Sequence, residues 1–325
     1  MSQATEAAPG HASLPDLAID ARGLRKVYGA GDKAREALRG IDLAIPRGAV
    51  FGLLGPNGAG KSTFINILAG LVVKTAGRVR VWDHDIDTDT RMARGAIGVV
   101  PQELNLDAFF SPRELLEFQA GLYGVPKSER RTDEILAMVA LTDKADAYSR
   151  SLSGGMKRRL LVAKAMVHDP PILVLDEPTA GVDVELRQQL WDHIRRLNDD
   201  GVTVLLTTHY LEEAQQLCDR IAIIHRGTLV ACEETAGLVA RLDRKELTIT
   251  LAEDVTAVPP TLTRFEADLH PPRRLVVRYR PSRTQIRDVL AAVQAAGLVI
   301  ADLTTEEADL EDIFIALTQA DDANG

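Results

Sequence analysis

Cysteine is nearly absent. The chain holds two, Cys218 and Cys232, in no Cys-x-x-Cys pair. Two are too few for a disulfide framework, which points to a reducing cytosol. No apolar run reaches the roughly 18 residues a membrane span needs, so the chain is not expected to cross a bilayer. Basic charge is not in excess either: the formal net charge is −9, against the basic surface of a typical nucleic-acid binder. The first residues, Met1 to Pro15, have neither a basic n-region nor an apolar h-region. They are read as a disordered tail (residues 1–16) rather than a signal peptide. There are no internal repeats, and no low-complexity segment beyond the termini.

What remains is ordinary globular material, 46% hydrophobic and 26% charged over 325 residues. That length predicts two domains, or one large domain with an appendage. Short apolar runs alternate with helical patterns: Ala49 to Leu54, Ile97 to Val100, Ile172 to Leu175, Val202 to Leu206 and Ile221 to Ile224. Continuous apolar strands separated by helices indicate a parallel sheet covered on both faces, hence an α/β fold. From about 103 to 167 the pattern turns helical without strands. Ser111-Pro112-Arg113-Glu114 reads as a capping box with Pro at the first helical position, and a second helix is expected from about Ser128 to Val139. After about residue 235 strands are expected at Glu246 to Leu251, Arg274 to Tyr279 and Leu298 to Leu303. Helices are expected at Thr284 to Ala296 and Leu310 to Leu317. The expected division is a main domain at 17–235, with a helical subdomain at about 103–167, and a small α+β domain at 236–325.

Gly55-Pro56-Asn57-Gly58-Ala59-Gly60-Lys61-Ser62, followed by Thr63, fits G-x-x-x-x-G-K-[ST] between a strand and a helical stretch. Its glycines let backbone N–H groups curl around phosphate oxygens at a helix N-terminus. Lys61 would reach the β- and γ-phosphates and Ser62 would ligate Mg²⁺. Ile172-Leu173-Val174-Leu175 delivers two acids, Asp176 and Glu177, to a strand's C-terminal end, where α/β proteins bind ligands. Asp176 would hold Mg²⁺ and Glu177 would orient the attacking water. A second anion-binding pattern, Ser153-Gly154-Gly155, opens another helix, where Ser153 can also act as an ordinary N-cap. The following Lys157-Arg158-Arg159 reads as a solvated helix face. The aspartates at 83, 85, 87 and 89 mimic a calcium loop, but Thr88 and Arg94 stand where Gly and Glu are required.

Taken together, these motifs resemble the ATP-binding cassette (ABC) ATPases. The phosphate loop comes first, then Gln102 after a strand, a helical insert, and Leu152-Ser153-Gly154-Gly155-Met156 as the signature. The acidic strand, an aspartate loop ending in Asp183 and His209 after a strand complete the order, over roughly residues 17 to 230. Met156-Lys157-Arg158-Arg159-Leu160, Glu177-Pro178-Thr179-Ala180-Gly181-Val182-Asp183 and the C-terminal appendage are similar to ATP-binding subunits of ABC-2-type exporters of drugs, polysaccharides or lipids.

The resemblance implies a P-loop NTPase core, ATP and Mg²⁺ as cofactors, and an ATP-sandwich dimer. In that dimer Ser153, Gly154 and Gly155 of one copy cap the γ-phosphate held by the other. It assigns His209 to the γ-phosphate, Gln102 to Mg²⁺ or the attacking water, and Tyr28 to stacking on adenine. Tyr28 as mere packing stays open, as does Asp183 as N-cap of a helix beginning at Val184. A separate integral membrane permease is implied, placing the chain on the cytoplasmic face of the inner (plasma) membrane. Leu104, Leu106, Phe109 and Phe110 form an apolar loop that either docks this permease or packs inward on Leu115 and Phe118. Other functions within the resemblance are a soluble ABC protein acting on DNA or ribosomes, and a nucleotide switch without turnover. The first of these lacks its long coiled-coil insert or second cassette, and its usual charge. Glu177 and His209 speak against the second.

Overall fold

The computed structural model describes residues 14–103, 105–179, 184–241 and 245–307. The expected tail up to residue 13, Leu104, Asp183 with its loop, and the expected last helix at 310–317 lie outside the described residues.

The chain begins with β1 (Leu17–Tyr28) and β2 (Arg35–Pro46), which pair antiparallel. It then enters a second sheet with β3 (Val50–Leu54) and turns through α1 (Lys61–Leu68). It returns to the first sheet with β4 (Ala76–Val81) and β5 (His84–Asp85), giving the order β2-β1-β4-β5. The acid-rich connection here carries ion pairs: Asp83 with Arg80, Asp85 with Arg78 and Asp87 with Lys74. α2 (Thr90–Gly95) and β6 (Ile97–Val100) lead into the helical insert.

The insert contains α3 (Pro112–Leu122), α4 (Thr132–Met138) and α5 (Gly154–Ala165). Ser111 starts α3 with the expected reciprocal cap: its hydroxyl accepts from Glu114 N at 3.2 Å, and Glu114 accepts from Ser111 N at 2.9 Å. α5 is buried on two sides. Leu160 and Ala163 pack with Leu116 and Leu136 of the insert. Leu161, Val162 and Ala165 instead join the core against the sheet. One helix therefore fastens the insert to the nucleotide-binding layer.

After the insert come β7 (Ile172–Asp176), α6 (Val184–Asp199), β8 (Thr203–Thr208), α7 (Leu211–Leu217), β9 (Arg220–His225), β10 (Thr228–Glu234) and α8 (Thr235–Arg241). The central sheet runs β10-β9-β3-β8-β7-β6, parallel except for the β9–β10 pair. Its parallel strands are buried on both faces, which is why they read as continuous apolar runs. Phe51, Leu53, Val174 and Leu205 face α1 and the first sheet. Leu54, Leu173, Leu175 and Leu206 face α5, α6 and α7. Each such side chain contributes about 1.5–3 kcal/mol by leaving water.

The C-terminal part is a four-stranded antiparallel sheet with one helix: β11 (Lys245–Leu251), β12 (Glu266–His270), β13 (Arg274–Tyr279), α9 (Ile286–Ala295) and β14 (Ile300–Glu307). Its strand order is β12-β13-β11-β14. Alternation does the work here. Leu247, Ile249 and Leu251 pack with Leu275, Val277, Val289 and Val293.

Strand register decides where the site forms. Asp176 pairs with Thr207 across β7 and β8, and Leu54 pairs with Thr208 across β3 and β8. The C-terminal ends of three adjacent strands are thereby level. The phosphate loop leaves β3, Glu177 follows β7, and His209 follows β8.

Candidate active site

The loop between β3 and α1 has no room for a side chain at two of its glycines, Gly55 and Gly60. A Cβ on Gly55 would lie 2.1 Å from Ile224 O, and one on Gly60 would lie 2.8 Å from Ala37 O. Gly60, the residue before α1, has φ 116°, a conformation open to glycine and strained for any other residue. The loop lines a cleft of about 590 Å³ with Tyr28 and Arg35 among its walls, and with Gln102 and Glu177 also lining it. Every predicted loop residue from Pro56 to Thr63 takes part in this lining. Ser62, the second residue of α1, is exposed, so its hydroxyl is accessible beside the helix N-terminus.

Lys61 is 5% exposed. Its ammonium donates to Gly55 O at 2.6 Å and stands 3.6 Å from Glu177 Oε1. Burial pushes it below the usual lysine range, while the carboxylates of Glu177 and Asp176 hold the charge in place.

Glu177 is the point on which the predicted residues converge. Besides Lys61, His209 Nδ1 lies 3.3 Å from its Oε1, and Gln102 donates to its Oε2 at 2.9 Å. Its backbone is strained, with φ 45°. Thr207 restrains it: Glu177 N donates to Thr207 O at 3.2 Å and to Thr207 Oγ1 at 3.0 Å. The same hydroxyl donates to Asp176 Oδ1 at 2.6 Å, so one threonine orients both acids. His209 is steadied on the other side by Tyr210, ring centroids 3.9 Å apart.

The structure thus gathers Lys61, Gln102 and His209 around Glu177, with Asp176 tied to the same threonine; of these, Lys61, Gln102 and Glu177 line the cleft. Tyr28 also lies in the cleft wall, 40% exposed, with the Lys26 ammonium 4.7 Å from its ring centroid. Ser153, Gly154 and Gly155 are not brought to this cleft. Ser153 caps α5, its hydroxyl accepting from Met156 N at 3.3 Å, and both Ser153 and Gly154 are exposed. The phosphate-loop pattern and the Ser153-Gly154-Gly155 pattern therefore occupy separate places on one chain. Asp183 lies outside the described residues.

One expectation is corrected. The stretch Lys157-Arg158-Arg159 is not a solvated face. Arg158 is 5% exposed and donates to the carbonyl oxygens of Pro101 and Gln102, both at 3.0 Å. Arg159 donates to Val139 O at 2.9 Å and Ala140 O at 3.0 Å. The reason is the double burial of α5, which turns charged positions inward, where only backbone carbonyls can satisfy them. Arg158 ties the signature helix directly to the backbone of Gln102.

Sequence reasoning also missed Thr207, and the cations Arg35, Arg39 and Arg226 that line the cleft. Thr207 could have been found only through the β7–β8 register, which no local pattern encodes. The three arginines fit no motif spacing.

Comparison with known proteins identifies the family. The ABC transporter family profile matches residues 38–180. The Nod factor export ATP-binding protein I of Ralstonia nicotianae is 35% identical over 316 residues, covering 95% of this chain and 96% of that protein. A daunorubicin resistance ATP-binding protein of Streptomyces coeruleorubidus is 37% identical over 317 residues, covering 95% and 98%. The linearmycin resistance ATP-binding protein of Bacillus subtilis is 34% identical over 312 residues, covering 92% and 98%. Among solved structures, a dimeric ATP-binding cassette in a post-hydrolysis state, bound to ADP and Pi, superposes with a TM-score of 0.60 at 28% identity. That match covers 67% of this chain and 98% of the cassette. Motif order, site geometry and full-length similarity converge: the chain belongs to the ABC transporter family, among the ATP-binding subunits related to those of ABC-2-type exporters.

Proposed function

We propose that this ATP-binding subunit hydrolyses Mg·ATP with Glu177 as the base that orients water, and that it does so only as a pair of copies. The observation that carries this reading is the division of the site. Lys61, Gln102, Glu177 and His209 meet around one carboxylate, while Ser153 and Gly154 open α5 on an exposed surface elsewhere. Two copies facing each other would bring the signature of one onto the phosphates held by the other.

The donors fit the groups they would hold. Gly55 and Gly60 let the loop pack closely against Ile224 O and Ala37 O, and the backbone N–H groups at the start of α1 would face phosphate oxygens. Ser62, Asp176 and Gln102 offer hard oxygen atoms of the kind Mg²⁺ prefers, and bound Mg²⁺ would neutralise charge on the phosphates. Within this chain, Lys61 would bind the terminal phosphates, Glu177 would accept a proton from water, and His209 and Gln102 would fix the carboxylate. Tyr28 would stack on the base, and Asp183 would contribute from the loop before α6.

The motion would drive a separate permease. No helix among the described residues is long and apolar enough to cross a membrane. The relatives named above are, by name, ATP-binding proteins for Nod factor export and for daunorubicin and linearmycin resistance, which supports an exporter on the cytoplasmic face of the membrane. The insert is built of short helices, not the long coiled coil of a DNA-handling ABC protein. For the permease, Phe109 is 73% exposed and Phe110 38%, with Phe110 leaning on Phe118 at a centroid distance of 6.1 Å. Phe118 and Leu122, one turn apart on α3, continue this apolar surface.

Serine at both Phe109 and Phe110 should abolish co-purification with permease-containing membranes and leave basal phosphate release within twofold of the unmodified protein. Phe109 is largely exposed and Phe110 partly so, and neither belongs to a buried core cluster, so their removal should leave the fold intact. Retained membrane binding would place the dock elsewhere.

A further inference from the structure

One buried carboxylate is not used by the mechanism above. Glu213, in α7, is 1% exposed and lies four residues after His209. Its two oxygens are shared between the two segments that carry the catalytic pair. Oε1 accepts from the Thr179 hydroxyl at 2.5 Å and lies 3.6 Å from Arg187 Nε. Oε2 accepts from the Thr208 hydroxyl at 2.9 Å. Thr179 is two residues beyond Glu177, and Thr208 immediately precedes His209. A threonine hydroxyl has a single hydrogen to give. Because Thr208 spends its hydrogen on Glu213, its lone pair is aimed at Tyr210 N, which donates to it at 2.9 Å. The backbone is thereby fixed on both sides of His209.

We propose that Glu213 is a positioning residue for hydrolysis. It clamps the segment leaving Glu177 and the segment bearing His209 to one rigid carboxylate, and so keeps the Glu177–His209 contact at 3.3 Å. This rests on the reading of those two residues as the hydrolytic pair. Two physical arguments favour a clamp over a filler. A carboxylate this deeply buried is costly unless its oxygens are used, and both are used at loop ends rather than inside α7. Glu177, with φ 45°, also needs restraint on more than one side to persist. Thr207 restrains its N–H. Glu213 restrains the chain after it through Thr179, with Pro178 stiffening the link between.

The test uses the full chain with Glu213→Ala, Glu213→Gln, Thr179→Val and Thr208→Val. It reads kcat and KM for ATP by phosphate release, affinity and stoichiometry for a fluorescent ATP analogue, and thermal unfolding. Glu213→Ala should lower kcat about 10- to 100-fold, the scale of a small misplacement of reacting groups. KM, analogue affinity and stoichiometry should stay within twofold. Each valine variant should lower kcat several-fold, and adding Thr208→Val to Glu213→Ala should cost nothing further. A purely structural role would instead lower the melting temperature and the bound stoichiometry, with kcat per bound nucleotide unchanged, and would overturn the proposal. So would a Thr208→Val loss of equal size with and without Glu213. If Glu213→Ala does not fold, Glu213→Gln and the near-isosteric valine variants decide the matter by the same split. An unmodified protein that binds but does not hydrolyse ATP would remove the reading of Glu177 itself, and the clamp with it.

Discussion

Glu177→Gln should keep its nucleotide and lose its turnover. Glutamine preserves the shape of the side chain and its contact with Gln102, which now meets Oε2 at 2.9 Å. What disappears is the negative charge facing Lys61 at 3.6 Å and His209 at 3.3 Å, together with the capacity to take a proton from water. General-base catalysis contributes on the order of 10²- to 10⁴-fold, so kcat should fall by about that factor. Nucleotide affinity should hold or rise, because one anion fewer faces the terminal phosphate. With hydrolysis blocked, the ATP-bound pair of copies should accumulate. Phosphate release, equilibrium binding of a fluorescent analogue and light scattering with Mg·ATP together check this. A variant that turns over at the unmodified rate would show that another group orients the water.

Lys61→Ala should fail earlier, at binding. The ammonium is held at the mouth of the helix by Gly55 O, almost out of water. In such surroundings a charge-assisted hydrogen bond is worth about 1.5–3 kcal/mol, so removing it should weaken nucleotide affinity roughly 10- to 100-fold. The substitution also leaves Glu177, 8% exposed, without its neighbouring cation, and a buried carboxylate stripped of a partner is destabilising. Lys61→Arg should rescue little, because the lysine is 5% exposed with its ammonium seated on Gly55 O at 2.6 Å, and a wider planar guanidinium does not reproduce that point contact. Titration with a fluorescent ATP analogue reads the loss, and unchanged affinity would refute the role given to the loop.

The residues that sequence alone disclosed are those whose chemistry is set by local spacing. The phosphate loop needs glycines at fixed intervals before a lysine, and the acids need a strand immediately ahead of them. Both constraints act over fewer than about ten residues, and the apolar strands of the central sheet were legible for the same reason. The antiparallel sheet of β1, β2, β4 and β5 was not. Its strands carry register shifts, for example between Ala21 and Leu24, that break the two-residue alternation by which a half-buried strand is recognised. β10 and β12 were missed as well; they run along edges, half exposed and without a continuous apolar run.

Long-range arrangement hid the rest of the site. Arg158 sits in a basic triplet that any surface helix could carry, and only the packing of α5 between two cores turns it inward. Thr207 and Glu213 matter because of where β7, β8 and α7 meet: Thr207 reaches Asp176 and Glu177, 31 and 30 residues away, and Glu213 reaches Thr179, 34 residues away. Phe109 and Phe110 were open to two readings because exposure is a property of the folded surface. The structure divides them: Phe109 is 73% exposed, whereas Phe110, 38% exposed, leans on Phe118 and Leu106 packs partly buried against two cores, as the packing reading expects.

The central claim is that one ATP is held by two copies of this chain. A crystal structure grown with Mg²⁺ and a slowly hydrolysed ATP analogue tests it most directly. The account predicts the terminal phosphate between Lys61 of one copy and Ser153, Gly154 and Gly155 of the other, with Glu177 and His209 beside it. An analogue wholly enclosed by a single protomer, its signature helix facing solvent, would contradict it.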